Sequence, residues 1–389
     1  MIVTRAPGKL FIAGEYAVVD PGQPAVLVAV DRFLTVRLTP SDDVGRVHSR
    51  EYGKAPVEWT RTDHTGQPVS IVVEHQPYDY VVSAITLMER LRDERGLPAH
   101  YFDLHIESDL DDASGRKFGL GSSAAVTVAV VAALDEFYAL GLTVDERFRM
   151  ALLSTIMVSP DASGGDVAAS TYGGWIRYTS PDRGALRESL GRDGVTATLT
   201  CAGWELHRVD PLPAPSSLRL LVGWTGSPAS TERLVGGVRP PRARTTGRYG
   251  SFMTESRDCV DTLVESLRAD DGSRARETIT RARRLLQQLG ESSGIRIETD
   301  ELRLLCDLAE QHGTAGKPSG AGGGDCGIVL APVDTELETL LTAWEGRGIR
   351  RLDISVHHPE APAPADAATA RAAGDERATQ GESAAEAER

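Results

Sequence analysis

Cysteine is scarce in this sequence, and its placement carries no metal signature. The four residues, Cys201, Cys259, Cys306 and Cys326, lie far apart, with no CxxC pair and no Cys/His ligand spacing. That argues against a zinc site and fits reduced thiols in a cytoplasmic protein. Positive charge is short as well: 42 Lys and Arg against 56 Asp and Glu leave a formal charge of -14. A general nucleic-acid binder needs a basic face, so no nucleic-acid partner is expected, while a local basic pocket for a small anion stays open. Long apolar runs are missing too. No stretch approaches the roughly 18 apolar residues of a membrane helix, so no membrane partner is expected. Lys9 and Glu15 interrupt the opening MIVTRAPGKLFIAGEY, so a secretory leader is not expected either. There is no internal repeat, no GxxxxGK[ST] phosphate loop and no GxGxxG dinucleotide fingerprint.

What is there is a chain of 389 residues, 41% of them hydrophobic, enough for two domains or one large α/β unit with a sizeable core. Apolar and alternating runs predict short strands over residues 1–40. YDYVVSAITLMERLRDERG is amphipathic and ends at Gly96, which predicts a helix; YFDLHIESDL alternates like a strand. A helix is expected from about Ser122 to Tyr138, and another in TVDERFRMALLSTIM with Thr143 or Asp145 as its cap. A turn of helix and a strand follow in SGGDVAASTYGGWIRY, then a strand in LRLLVGWT and two or three helices over 252–313. A strand after residue 325, a helix in ELETLLTAWEGRG and a strand in IRRLDISV close the pattern. From residue 357 on, Ala, Glu, Pro, Arg and Gly dominate without an apolar period, which reads as a disordered tail, 357–389. His357-His358 sits at that boundary and is not taken as a metal site.

Three segments stand out: APGKLFIAGEYAVVDPG (6–22), KFGLGSSAAV (117–126) and KPSGAGGGDCG (317–327). The second joins two glycines and two serines to an apolar helix-forming run. Backbone N–H groups at a helix start attract anions, and glycine lets a phosphate approach closely. One such loop alone is more often a plain turn; three in this order are more specific. In order and wording they resemble the three signature motifs of the GHMP small-molecule kinase superfamily, over residues 3 to 356. SGGDVAAS, GGWI and VGWTGSPAST bring the wording nearest to its phosphomevalonate kinase family.

The resemblance implies an α+β fold of two domains. An N-terminal domain (1–200) of mixed sheet and helices would carry the first two motifs. A ferredoxin-like C-terminal α/β domain (201–356) would carry the third, with the site in the cleft between them. It implies ATP-dependent phosphorylation of (R)-5-phosphomevalonate to (R)-5-diphosphomevalonate, with Mg2+, in the mevalonate route to isopentenyl diphosphate. Mevalonate kinase, diphosphomevalonate decarboxylase or an inactive ligand-sensing protein on the same fold are the alternatives.

By the same resemblance Gly119, Leu120, Gly121, Ser122, Ser123 and Ala124 hold the ATP phosphates. Ser123, with Ser122 close behind, ligates magnesium, although Ser122 also suits a helix cap. Lys9 and Lys117 become cations against the accumulating phosphate charge. Asp166 matches the family's active-site aspartate. A phosphate monoester has a second pKa near ~6, so its oxygen needs no strong base at neutral pH. Asp166 is therefore expected to orient Lys9 or the substrate. Ser163, Ser319, Gly320 and Gly322 fall on the substrate side; Glu15 and Tyr16 either touch substrate or pack the first motif. Ser230 and Thr231 either touch substrate or cap a helix. Asp325 is read as structural, Cys326 as a small buried residue, and Trp175 and Trp224 as core or pocket wall. Pro160 and Asp161 depart from the family wording, as does Pro318.

Overall fold

Two long strands begin the chain where short ones were expected. β1 (Ile2–Ala13) and β2 (Pro24–Ser41) pair antiparallel from Ile2↔Leu38 to Ala13↔Val26. The breaks in the apolar pattern near Gly8 mark a register shift inside one ladder, because a bulge absorbs an extra residue without ending a strand. The structure is a computed structural model that describes residues 1–53, 55–62, 68–73, 79–112, 114–226, 234 and 247–358.

β2 is the backbone of the first sheet, whose order is β5-β4-β3-β6-β2-β7-β8, with β1 also on β2. Its other strands are β3 (Gly45–Ser49), β4 (Val57–Arg61), β5 (Ile71–Val73), β6 (Tyr101–Ser108), β7 (Trp175–Thr179) and β8 (Arg208–Leu212). The β3–β6 pair is parallel and the rest are antiparallel, so the sheet is mixed. Four helices belong to this half, α2 (Ser122–Phe137) and α4 (Gly165–Tyr172) against the sheet and α1 (Tyr80–Glu94) and α3 (Val144–Val158) packed on them. The apolar α2 packs on β1, β2, α1 and α3, and so is buried on several sides rather than on one stripe. Thr143, one of the two expected caps, closes α3 in a capping box with Glu146. Two short helices, α5 (Arg183–Asp193) and α6 (Val195–Thr198), precede β8.

The second sheet, order β10-β11-β9-β12, is antiparallel throughout. Along the chain come β9 (Leu218–Trp224), α7 (Gly247–Arg268), α8 (Gly272–Ser293), α9 (Asp300–Gln311), β10 (Ala315–Pro318), β11 (Cys326–Pro332), α10 (Glu338–Glu345) and β12 (Arg350–Leu352). With β9 and β11 central, this is the strand order of a ferredoxin-like unit. The first sheet runs through Leu212 and the second begins at Leu218. One apolar core includes Leu27 and Val130 on the first side and Val222, Val260 and Ile328 on the second. His357 is tied to that unit: its N–H donates to Ala29 O at 2.9 Å and its carbonyl accepts from Gly174 N at 2.7 Å. Residues 359–389, most of the expected tail, lie outside the described residues.

Candidate active site

The phosphate-type loop is built by its neighbours as much as by its glycines. Lys9 N–H, on β1, donates to Leu120 O at 2.8 Å, which fastens the loop to the sheet. Gly121 has φ +83° and is the N-cap of α2, without any side-chain cap. A Cβ at Gly121 would come 2.7 Å from Lys9 Cε, so any other residue here would push the lysine stem aside. Lys9 is buried, and its ammonium donates to Gly119 O at 3.5 Å. Ser122 is thus the first residue of the helix and not its cap. Among the described residues neither Ser122 nor Ser123 has a partner for its hydroxyl. The first intrahelical bond is Ala125 N to Gly121 O, so the N–H groups of residues 122–124 have no carbonyl within the helix. They are the anion-attracting end of the helix dipole.

This end opens into a cavity of about 630 Å³. Its wall contains residues 119–124, Lys9, Lys117, Asp166, Glu15, Tyr16, Ser163, Ser319 and Gly320. Thus segments more than 300 positions apart in sequence meet at one wall. Gly322 is not brought there; it packs on the Ile297 carbonyl behind the loop. Ser230 and Thr231 lie outside the described residues. The wall also takes residues that sequence reasoning missed, among them Tyr80, Leu110, Thr155 and Val158. Pro160 and Asp161, which the sequence marked only as departures, line it as well.

A second helix start faces the same space. α4 is opened by Gly164, φ +83°, and Asp166 lies in its first turn, where one carboxylate oxygen accepts from Val167 N at 3.1 Å. Among the described residues no ion pair joins Lys9 to Asp166. Ser163 Oγ accepts from Gly165 N at 3.3 Å and its carbonyl accepts from Tyr178 OH at 2.7 Å.

Motif one is fastened to motif three through three pairs of residues. The Lys317 ammonium, fully buried, donates to the Glu15 carboxylate and to Pro318 O at 2.6 Å. Tyr16 OH donates to Ala321 O at 2.6 Å, and burial followed by the Glu15 charge pushes its phenol pKa up, so it stays neutral. Ser319 Oγ accepts from Phe11 N at 2.9 Å and donates to Phe11 O at 3.0 Å. Glu15, Tyr16 and Ser319 therefore line the cavity with polar groups already committed to holding it together. Cys326 is buried and its thiol donates to Phe118 O at 2.8 Å. Trp175 and Trp224 are buried and outside the cavity wall; the Phe118 ring stands edge-on to Trp224 at 5.1 Å. Lys117 lies at the mouth, paired with Glu51 at 2.8 Å. Among the described residues no group of three or more His, Cys, Asp or Glu side chains is placed to hold a metal ion.

Comparison with known proteins agrees with this geometry. Residues 79–174 match the GHMP kinases N terminal domain and residues 263–349 the GHMP kinases C terminal domain. The chain is 45% identical over 368 residues to a phosphomevalonate kinase of Streptomyces sp. (strain CL190), covering 91% of this chain and 96% of that protein. It is 27% identical to a mevalonate kinase of Thermococcus gammatolerans, over 89% of this chain and 94% of that one. The Streptococcus pneumoniae phosphomevalonate kinase, solved in complex with phosphomevalonate and AMPPNP, superposes with a TM-score of 0.79 at 28% identity, covering 92% of this chain and 100% of that one. The chain belongs to the GHMP kinases, in the family of the phosphomevalonate kinases.

Proposed function

We propose that the chain transfers the γ-phosphoryl group of ATP to (R)-5-phosphomevalonate, giving ADP and (R)-5-diphosphomevalonate. The carrying observation is the meeting of a helix N-terminus, a buried lysine and a first-turn aspartate at one cavity of about 630 Å³. Phosphoryl transfer asks for that set: donors for phosphate oxygens, a cation against accumulating charge and a positioned nucleophile. The N–H groups of residues 122–124 hold the triphosphate. Lys9, fixed across the loop by Gly121, sits where donor and acceptor phosphates approach each other and offsets their repulsion. Lys117 adds a second cation from the mouth. The acceptor oxygen is already deprotonated at neutral pH, so Asp166 orients substrate rather than abstracting a proton. Ser163 and Gly320 flank the acceptor end.

Magnesium fits the donors present. It binds through one or two protein oxygens plus substrate phosphates, and the uncommitted Ser123 hydroxyl and the Asp166 carboxylate are oxygen donors in one cavity. When bound it neutralises charge on the β- and γ-phosphates. No helix among the described residues is long and apolar enough to cross a membrane, and we place the enzyme in the cytoplasm, with a small-molecule substrate.

A coupled ADP-release assay tests the reading, with mevalonate, 5-phosphomevalonate and 5-diphosphomevalonate offered separately. Turnover is expected with 5-phosphomevalonate alone. Lys9→Ala is expected to lower kcat by about 100-fold or more, the scale of removing one charge-stabilising donor. Turnover with mevalonate instead would return Asp166 to a general-base role and overturn the assignment.

A further inference from the structure

Of the two lysines at the cavity, Lys117 is the exposed one. Its side chain is 51% accessible, and its ammonium lies 2.8 Å from a carboxylate oxygen of Glu51, itself 65% accessible. Glu51 is no part of the cavity wall. It rides a single 3₁₀ turn, Arg50–Tyr52, that stands beside the loop.

That turn has its own footing. Ser49 Oγ accepts from Glu51 N at 3.3 Å. Tyr52 OH donates to the carboxylate of Asp79, whose other oxygen caps α1 by accepting from Val81 N and Val82 N. The segment before the loop is held independently. Lys117 is paired with Asp111 in an isolated β-bridge, and Asp112 gathers Ser114 and Arg116 around its carboxylate. The two footings bring Glu51 and Lys117 together through hydrogen bonds of their own.

We propose that Glu51 tunes nucleotide binding through Lys117: it competes with the phosphates of ATP for the lysine, pairing with it at the cavity mouth until they displace it. This rests on the reading of Lys117 as a phosphate-binding cation. An ion pair between exposed side chains is weak, so a polyphosphate displaces the carboxylate readily. The pair nonetheless competes with ATP for the lysine. Removing the Glu51 charge should therefore tighten nucleotide binding, whereas damage to a merely structural contact would loosen it.

The test measures the Kd of ATP with magnesium by calorimetry, and the two KM values, for the full chain and for Glu51→Gln, Lys117→Met and the double variant. Glu51→Gln is expected to lower the Kd and KM for ATP by about two- to fivefold, the range set by exposed pairs. The KM for phosphomevalonate should not move. In the Lys117→Met background the same substitution should change the ATP Kd far less, because its partner is gone. If Lys117→Met weakens ATP binding but Glu51→Gln fails to tighten it, or tightens it equally without Lys117, the competing role of Glu51 is overturned. If Lys117→Met leaves the ATP Kd unchanged, the reading of Lys117 itself falls, and this inference with it.

Discussion

Lys9 and Gly121 act as one device. The lysine stem passes close over Gly121, where a Cβ would push it aside, and the left-handed φ of +83° at Gly121 is one that few other residues hold. Gly121→Ala is expected to cost about 1–2 kcal/mol of stability, the scale of forcing an L side chain into that region. It should also lower kcat at least about tenfold by displacing the Lys9 ammonium, since an ångström of misplacement costs more than that. A melt and a steady-state assay on one preparation separate the two effects. A stability loss with kcat intact would show that the loop does not aim the lysine. The motif wording singled out both residues, but their contact is a fact of three dimensions.

At the scale of elements, the buried pair Glu15–Lys317 joins the end of β1 to β10. Removing one partner leaves the other charge buried and alone, so Lys317→Met should destabilise the protein by about 3–5 kcal/mol. Adding Glu15→Gln should recover part of that loss, a sign opposite to additivity, as denaturant unfolding would show. The sequence marked Glu15 only as substrate contact or packing and read Lys317 as the start of a glycine loop. Its partner was invisible because the two lie 302 positions apart. The elements themselves were more legible. α1, α2, α3 and β6 fall where periodicity and caps placed them, because their signals are local. β3, β4 and β5 were not read at all; short strands become strands only through the neighbours they pair with.

For the whole molecule, pH bears on the core. His207 is buried, stacked on Phe148 at 4.7 Å with its Nδ1 at 3.1 Å from Thr179 O. Desolvation lowers its pKa from the ordinary 6.5, only partly opposed by that hydrogen bond. The unfolded chain therefore takes up the proton first as the pH falls. Stability from this group is fully present above 6.5 and is lost below it, until the folded imidazole also titrates. His48, lowered by desolvation and by the facing His105, has the same sign. Melting temperature should fall from pH 7 towards 5, and His207→Gln should flatten part of that slope. An unchanged slope would remove His207 from the acid response.

By itself the sequence determined the superfamily wording, the helix that starts at the glycine-serine loop and the other principal helices. Those follow from residue types at short spacing, where propensity, capping and the helix dipole act locally. Only the tertiary structure decided that Glu15, Tyr16 and Ser319 are engaged in joining motif one to motif three. It alone turned Gly322 away from the cavity, brought residues 155–162 into its wall and set Glu51 against Lys117. Each of these is a contact between distant segments, set by how two sheets share one core, and no spacing along the chain encodes it.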